Sequence, residues 1–457
     1  MDEYLAKMIV MRRMIFILAA MSIAHMAPAQ ETVKMSLRDC MEYAVENSVQ
    51  VRERQSLTDD GRLDRRDAIL KAFTPEVEGN SYGYYRWGRS IDPETNTYVT
   101  TTSLNQGFSV SAGFTLFNGF SAINNMKIAK ISVAMGLSRE QQERDKVCLA
   151  TIEAYFNVLY YTQLAGILEA QVDNARKAVT LAERQEQLGI MGYADVVQMK
   201  ADLADREYDF TVAKNSRDNA MTTLEDVMFW PSGETLEIDT DLSALMTGTD
   251  NPAVDDVLAN AVGTMPSVAV ARGTMENALL GLKTARWQFL PTLSLYGGWS
   301  TSYYTYPGQA DYVPTPYGRQ FRNNGGEYVQ LSLNIPIYSR LQQHTRMAKQ
   351  RNEYRRASME YDRTVREVES EVRKAVQDRD GAEAALRQAE RRAEVYEEAF
   401  RLNTRKFGQG LISSIEYNTA SANYLKARAE KLDAELKYQL RRRVVEYYGG
   451  VPYLEQQ

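Results

Sequence analysis

Two side-chain periods follow one another along this chain. Between Leu104 and Leu116 apolar side chains fall on nearly every second position, with small or polar side chains between them. A period of two predicts a β-strand with one apolar face. The segment from Val329 to Ile335 has the same pattern. A few residues after the first strand the pattern becomes helical, and Asn118 is placed to cap the start of that helix.

Each strand pattern precedes a long segment whose apolar residues recur at alternating steps of three and four. One segment runs from Phe120 to Gln187 and the other from Arg340 to Phe407; neither contains proline, and both are nearly free of glycine. At 1.5 Å per residue, each segment predicts one helix of about 100 Å. The spacing and the many alanines predict coiled-coil packing against other long helices.

Three pairs of similar segments lie about 216 to 221 residues apart, in the same order. KAFTPEVEGNSYGYY from residue 71 resembles WQFLPTLSLYGGWS from residue 287, and FTLFNGF from 114 resembles IPIYSRL from 335. In the third pair, Asp195 follows Gly189 and Glu416 follows Gly410, each by six positions. The order predicts two copies of one unit: helix, strand, strand, long helix, turn, shorter helix.

Residues 1–29 have the pattern of a secretory signal peptide. A basic pair precedes an apolar run, and a small-residue cleavage site follows at Ala27 to Ala29. Because the acidic first residues do not suit such a signal, we expect translation to start at Met8 or Met11. No later apolar run approaches the roughly 20 residues of a membrane helix. We therefore expect an exported protein that does not span a membrane by helices.

Charge and residue inventory argue against nucleic-acid binding and against catalysis. The net charge is −6, and charges of both signs alternate along the helical segments. Once the signal is removed His344 is the only histidine, and no glycine loop precedes a lysine as a phosphate site requires. An enzyme using two carboxylates is therefore the weakest hypothesis, and we expect no cofactor or metal. Cys40 and Cys148 lie in helical patterns, which favours buried thiols over a disulfide.

The strands have the properties of outer-membrane barrel strands: about ten residues, one apolar face, and aromatic residues near their ends. The aromatic residues are Tyr82, Tyr84, Tyr85, Trp87, Tyr98, Tyr296, Trp299, Tyr303, Tyr304 and Tyr306. A soluble sheet would show the same alternation, but the flanking helices offer no separate core for the apolar face. Two hairpins give four strands, and open edges are not tolerated in hydrocarbon. Three copies would supply twelve strands.

The order of these features resembles the TolC family of outer-membrane efflux proteins over essentially the whole mature chain. The resemblance is carried by the signal, by MSLRDCMEYAVENSVQVRERQS from residue 35, by the corners LFNGF and IPIYSRL, and by the glycine turns with their acids. It implies a mainly α fold with β-strands and a homotrimer. In that trimer a twelve-stranded β-barrel in the outer membrane continues into a twelve-helix α-barrel, girdled midway by a small mixed domain.

The resemblance also divides the chain. The expected segments are the signal peptide (1–29), N-terminal helices of girdle and tunnel (30–72), the first barrel hairpin (73–117), the first tunnel helical hairpin (118–230), a girdle segment and helix (231–288), the second barrel hairpin (289–338), and the second tunnel helical hairpin with a C-terminal girdle segment (339–457). Ser36 with Asp39 three positions later predicts a capping box that opens the first helix.

Two groups of residues take roles from the resemblance. The strand–helix corners are assigned to Pro75, Asn118, Pro291, Pro336 and Ser339. The periplasmic tip turns, where the tunnel closes and an adaptor docks, are assigned to Gly189, Gly192, Gly408, Gly410, Leu411 and Ile412.

Asp195 and Glu416, each just inside a tip turn, are the predicted periplasmic gate. Three-fold symmetry would make each a ring of carboxylates that favours cations in the lumen. The alternative is an exposed acid that favours the positive end of a helix dipole. Family members that lock the tip use a tyrosine and an arginine where this chain has Phe407 and Ile412, and Thr419 stands where a second acid is frequent. We expect a constricted tip that lacks those locking residues.

The sequence therefore predicts a passive exit duct of a tripartite efflux pump or a type I secretion system. It would contact outer-membrane lipid and take energy and substrate choice from an inner-membrane pump through a periplasmic adaptor, or membrane fusion protein. The alternative is a periplasmic coiled-coil scaffold or adaptor without a pore. The alternating, aromatic-rich strands argue against that alternative, since an adaptor has no use for a lipid-facing band.

Overall fold

The computed structural model describes residues 34–91, 96–241, 252–309 and 312–456. The predicted signal peptide and part of the predicted girdle segment lie outside these residues. The helices are α1 (Leu37–Asn47), α2 (Val49–Phe73), α3 (Ser121–Gln187), α4 (Tyr193–Met228), α5 (Val254–Thr264), α6 (Pro266–Trp287), α7 (Tyr317–Asn323), α8 (Gln342–Gly408) and α9 (Ser414–Tyr448). The strands are β1 (Glu76–Ile91), β2 (Tyr98–Asn118), β3 (Thr292–Thr305) and β4 (Gly326–Asn334).

The two long helices, α3 and α8, each contain 67 residues, so the prediction of one uninterrupted helix in each long segment is confirmed. α3 packs against α4, and α8 packs against α9. α2 lies along α3, while α6 contacts both α3 and α8. The many small residues of the seams allow this close side-by-side packing, which produces a narrow bundle of long helices.

Apart from α7, which lies between β3 and β4, the described elements occur in the same order in both halves of the chain. An 11-residue helix, α1 or α5, is followed after one residue by a longer helix, then by a pair of strands, a 67-residue helix and a shorter helix. The one-residue breaks have local causes. The Ser48 side chain accepts a hydrogen bond from the backbone N–H of Val51 (3.3 Å) and caps α2. Pro266, whose fixed φ suits a first helical position, begins α6.

The strands form one antiparallel sheet in the order β1-β2-β3-β4. All four connections to the helices leave from one end of the sheet. Ala112 pairs with Val77 and with Gly297, and Gly297 pairs with Val329. Because paired residues share a face, one side of the sheet is apolar and the other carries small, polar and tyrosine side chains. β1 and β4 are both edges within this chain.

The corner between β2 and α3 differs from the prediction. Asn118 is not the N-cap residue: two left-handed residues, Gly119 (φ +62) and Phe120 (φ +61), separate it from the helix, and Phe120 occupies the N-cap position. Asn118 still contributes, since its Oδ1 accepts from the backbone N–H of Ala122 at 3.2 Å. A Cβ at Gly119 would overlap the carbonyl oxygen of Trp287, the last residue of α6. The overlap therefore requires glycine at this position, and the left-handed φ also favours it.

The second corner, between β4 and α8, is built the same way without glycine. Arg340 (φ +51) and Leu341 (φ +58) are both left-handed, although side chains there carry a steric cost. The predicted corner residues Pro336 and Ser339 lie just before them, in the link that follows β4. Pro75 and Pro291 each precede the first residue of a strand, where the missing N–H removes no ladder hydrogen bond.

The largest buried cluster lies midway along α3 and joins it to α1, α4 and α9. Ser36 and Asp39 form the predicted capping box at the start of α1. Cys40 and Cys148 lie in this cluster as free, buried thiols, which agrees with the favoured hypothesis, and burial raises the pKa of each to about 12. In the part of the chain that the structure describes, no helix combines the length and apolarity that crossing a bilayer requires.

Candidate functional site

The two turns that join the long helices to their shorter partners have the same backbone geometry. In the α3–α4 turn Gly189 has φ +72, and the N–H of Ile190 donates to the carbonyl of Gln185 at 2.9 Å. In the α8–α9 turn Gly410 has φ +70, and the N–H of Leu411 donates to the carbonyl of Lys406 at 2.9 Å. Both are helix ends of the type that needs a left-handed residue, which explains both glycines.

The two turns meet in one cleft of about 470 Å³, which contains both predicted gate acids. The Ser414 hydroxyl donates to Oδ1 of Asp195 at 2.7 Å and joins α9 to α4. Four of the six predicted turn residues line the cleft: Gly192, Gly410, Leu411 and Ile412. The other two flank it, since Gly189 lies in the first turn and Gly408 is the last residue of α8.

The two acids have different surroundings. Asp195 is half-buried and accepts the hydrogen bond from the other turn. Glu416 is exposed and belongs to a capping box with Ser413: its backbone N–H donates to Ser413 Oγ at 3.2 Å, and its carboxylate accepts from the Ser413 N–H at 3.4 Å. Both acids occupy the first turn of a helix, where a negative charge is favourable. Glu416 has the contacts of an exposed acid at a helix start, whereas Asp195 is also bonded across the cleft.

An aromatic stack lies behind the α8–α9 turn. The rings of Phe407 and Tyr417 are 4.6 Å apart at 25°, and the two side chains are 2% and 4% exposed. Phe400 contacts Tyr417, and Ile412 packs against the same cluster. Burial raises the pKa of the Tyr417 hydroxyl, and the negative charge of Asp202 adds to that increase. Phe407 thus forms a buried aromatic contact behind the turn.

A buried ion pair supports the stack from α4. Arg206 Nη2 lies 3.4 Å from Asp202 Oδ1, and both side chains are nearly buried. Burial raises the pKa of the Asp202 carboxyl, while the charge of Arg206 acts in the opposite direction. The Gln185 side-chain amide donates to the Phe407 carbonyl at 3.4 Å, which ties α3 to α8. These contacts fix the ends of all four helices relative to one another.

Sequence reasoning missed Ser414, Tyr417 and Gln185. The seven-residue interval from Phe400 to Phe407 showed that both face one side of a helix. The residue that these two side chains contact, Tyr417, lies on another helix, so it could be identified only from the packing of the helices. Among the described residues, no group of His, Cys, Asp and Glu side chains is arranged to hold a metal ion. The cleft offers carboxylates and backbone groups, an arrangement suited to attracting cations.

Comparison with known proteins identifies the family. Residues 60–228 and 257–446, more than half of the chain, match the model of the outer membrane efflux protein family. Outer membrane protein TolC of Escherichia coli (strain K12) is 25% identical over 201 residues, which are 43% of this chain and 40% of TolC. That match therefore spans less than half the length of TolC.

Solved structures share the fold over nearly the whole chain. CusC superposes with a TM-score of 0.76 at 16% identity, covering 93% of each chain. VceC of Vibrio cholerae gives 0.73 at 14% identity, covering 91% of this chain and 96% of VceC. The open-state MtrE outer membrane channel of Neisseria gonorrhoeae gives 0.73 at 16% identity, with coverages of 92% and 88%. At these sequence identities the similarity establishes a shared fold and no more.

The fold is thus mostly helical with a small sheet, and it is the fold of channel proteins. The family model, which matches more than half of the chain, places it in the outer membrane and in efflux transport. The chain belongs to the outer membrane efflux protein family, as a member of the TolC family of outer-membrane channels.

Proposed function

We propose that three copies of this chain form an exit duct across the outer membrane and periplasm, serving a tripartite efflux pump or a type I secretion system. The observation that carries the proposal is the sheet: its four strands have one apolar face and two open edges, β1 and β4. Unpaired backbone groups cannot remain exposed to hydrocarbon. Closure by three copies gives twelve antiparallel strands, within the range of known barrels.

The exposed apolar face supports a lipid environment. Val329, Leu331 and Leu333 of β4 are exposed, Val329 to 83%, and Ile337 in the link after β4 is 94% exposed. In water such a continuous apolar surface is unfavourable, whereas in a bilayer it is solvated by lipid. Aromatic residues flank the band at both ends of the sheet. They include Phe117, Phe120, Trp287 and Phe289 near the helices, and Tyr85, Trp87, Tyr303 and Tyr317 near the far end.

The helices supply the rest of the duct. Each 67-residue helix extends about 100 Å at 1.5 Å per residue, long enough to reach from the outer membrane deep into the periplasm. Four long helices per chain, α3, α4, α8 and α9, give twelve in a trimer. The duct would be passive, because nothing in the cleft resembles a site for hydrolysis; energy and substrate choice would come from an inner-membrane pump.

The two turns form the periplasmic tip in this proposal. Apolar side chains at the turns are exposed, among them Leu188, Ile190, Leu411 and Ile415, and they offer an apolar surface on which an adaptor could dock. Asp195 and Glu416 would form the gate, each repeated three times around the axis, and would favour cations. The ion selectivity of alanine variants tests this assignment.

The duct itself is tested by fractionating cells and running the protein on a gel with and without boiling. We expect it in the outer membrane, migrating unboiled as an oligomer of about three times the monomer mass, as barrel trimers do. A scaffold or adaptor without a pore would wash out with the soluble periplasmic proteins as a species that heat does not change. That result would remove the barrel from the proposal.

A further inference from the structure

A cavity of about 600 Å³ lies at the end of the sheet farthest from the helices. Its walls are the far ends of β1, β2 and β3 together with residues 315–324, which include α7. The volume is within the range of pockets that hold small ligands. This region lies at the opposite end of the molecule from the two turns, so it shares no residue with the gate or the tip turns.

The chemistry of the cavity wall is uniform. Of the eleven described residues that line it, four are tyrosines, five are asparagines or glutamines, and the others are Ser302 and Thr315. None of these eleven carries a charge. Amide and hydroxyl groups donate and accept hydrogen bonds, and tyrosine rings add flat apolar faces. This combination suits a neutral ligand with many hydroxyl groups and an apolar face.

The tyrosines of β1 form a flat wall. The rings of Tyr82 and Tyr84 are 6.0 Å apart and nearly parallel, at 15°. Tyr82 pairs with Gly107 across the strands, and a Cβ at Gly107 would overlap the Tyr82 ring. The ring therefore lies flat over the glycine instead of standing away from the sheet. About half of each side chain remains exposed, so one face of the wall is open to a ligand.

The opposite wall is held rigidly by amide side chains. Gln320 of α7 is 3% exposed; its amide donates to the Tyr304 carbonyl at 2.9 Å and accepts from the Tyr304 N–H at 3.1 Å. Asn324 donates to the Ser302 carbonyl at 2.7 Å. These bonds occupy the edge of β3 beyond the point where its pairing with β4 ends, at Ser300 and Gly326. The cavity is therefore preformed, with the exposed Asn323 on this wall.

We propose that this cavity binds a neutral sugar ring, stacked by its C–H face on Tyr82 and Tyr84 and hydrogen-bonded through its hydroxyls to the exposed amide of Asn323. Two sources share this chemistry: a soluble oligosaccharide in the duct, and the neutral hexoses of the surface glycan on the outer membrane. The inference rests on the proposed function in one respect: if the duct spans the outer membrane, the far end of the sheet faces the cell exterior, and the sugar reaches the cavity from that side.

The experiment uses the full-length trimer purified in a detergent without a sugar headgroup, because glucoside or maltoside headgroups would compete. In planar bilayers the probe is maltohexaose, a neutral sugar oligomer, added to either side at millimolar concentration. We expect concentration-dependent interruption of the current, with stronger binding from the outer side. Tyr84→Ala should weaken binding about tenfold, and Asn323→Ala about threefold, the range of one aromatic contact and one neutral hydrogen bond.

Tyr328→Ala is the matched control. Tyr328 lies on the same face of the sheet, is 45% exposed and also lies over a glycine, Gly298, but it is outside the cavity. It should leave maltohexaose binding unchanged. Equal loss in Tyr328→Ala and Tyr84→Ala would contradict a defined site.

A second arm distinguishes the two sources. Bilayers containing lipopolysaccharide with a complete hexose core are compared with bilayers whose lipopolysaccharide lacks it. Occupation by the surface glycan predicts that the complete core competes with added maltohexaose and that the truncated form does not; a ligand from solution predicts no difference. A conducting pore that maltohexaose never interrupts would overturn the sugar site while leaving the duct intact. If no pore forms, saturation-transfer NMR with the same sugar and variants decides the proposal.

Discussion

The two helix turns share a backbone and differ in how they are held. The α8–α9 turn is supported by its own residues: the Ser413–Glu416 capping box in front and the Phe407–Tyr417 stack behind. The α3–α4 turn has Gly192 at the N-cap position, with no side-chain cap, and its acid Asp195 is bonded to Ser414 of the other turn. The second turn thus has a side-chain cap and an aromatic stack among its own residues, whereas the first lacks a side-chain cap and is bonded to the second through Asp195.

This difference indicates how a tip could move. Repeated sequences keep the backbone signals, the glycines and the acids, while the side chains around them have diverged. A disturbance of the α8–α9 turn reaches the α3–α4 turn through Ser414, whereas a disturbance of the first turn leaves the Ser413–Glu416 capping box in place. Three changes test this asymmetry, beginning with the largest expected effect.

Tyr417→Ala should have the largest effect, because it removes a buried ring from the stack. Truncating a buried aromatic residue costs about 3 kcal/mol or more, so amide exchange around residues 407–417 should accelerate about a hundredfold. The matched change is Tyr193→Ala in the first turn, where the side chain is 72% exposed; little change is expected there. Similar acceleration in both variants would show that the turns are not held differently.

The alanine variants of Asp195 and Glu416 should have the next effect, and the two should differ. Each removes a carboxylate from the cleft, so the ratio of cation to anion permeability should fall, furthest in the double variant. Asp195→Ala also leaves the Ser414 hydroxyl without its acceptor, a loss of about 1.5 kcal/mol, and should loosen the first turn as well. Reversal potentials across a salt gradient in planar bilayers measure the permeability ratio.

The control for the acids is Glu186→Ala, since Glu186 lies at the end of α3 but outside the cleft. Its permeability ratio should match that of the unmodified channel. If the double variant also keeps the original ratio, the assignment of the gate to these two residues is wrong.

Exchanging the caps should have the smallest effect. Ser413→Ala removes the side-chain cap of α9 and should cost about 1 kcal/mol, with faster exchange confined to its first turn. Gly192→Ser would give α4 the cap that it lacks; φ there is an ordinary −78° and a Cβ would have normal contacts. It should slow exchange in the first turn of α4 by a small factor, because glycine is only a few tenths of a kcal/mol poorer. Unchanged exchange at Glu416 in Ser413→Ala would contradict the capping box.

The parts of the fold that depend on local sequence were predictable. The absence of proline and the apolar period predicted both 67-residue helices, and the period of two predicted the strands. The glycines at 189 and 410 marked both turns because only a left-handed residue ends a helix in that way. The left-handed pair Arg340 and Leu341 was not predictable, since nothing in either side chain favours that conformation.

The candidate site was only partly predictable for a related reason. The acids could be placed in the first turns of helices. The hydrogen bond between Asp195 and Ser414 depends on the relative axial positions of α4 and α9, which the sequence does not specify. The same holds for Tyr417, whose partner Phe407 lies across the turn. The amide-rich cavity depends on α7 folding back along β3, and no period in residues 306–325 indicated that arrangement.

The corner at Gly119 has a consequence for the order in which the molecule is made. Its tight fit is against the carbonyl of Trp287, and Phe120 packs on the Trp287 ring at 5.1 Å. During synthesis from the N-terminus, residues 119 and 120 are made long before Trp287. The corner between β2 and α3 therefore lacks its packing partner until the second half has been made. The two halves, although alike in their elements, must fold together as one unit.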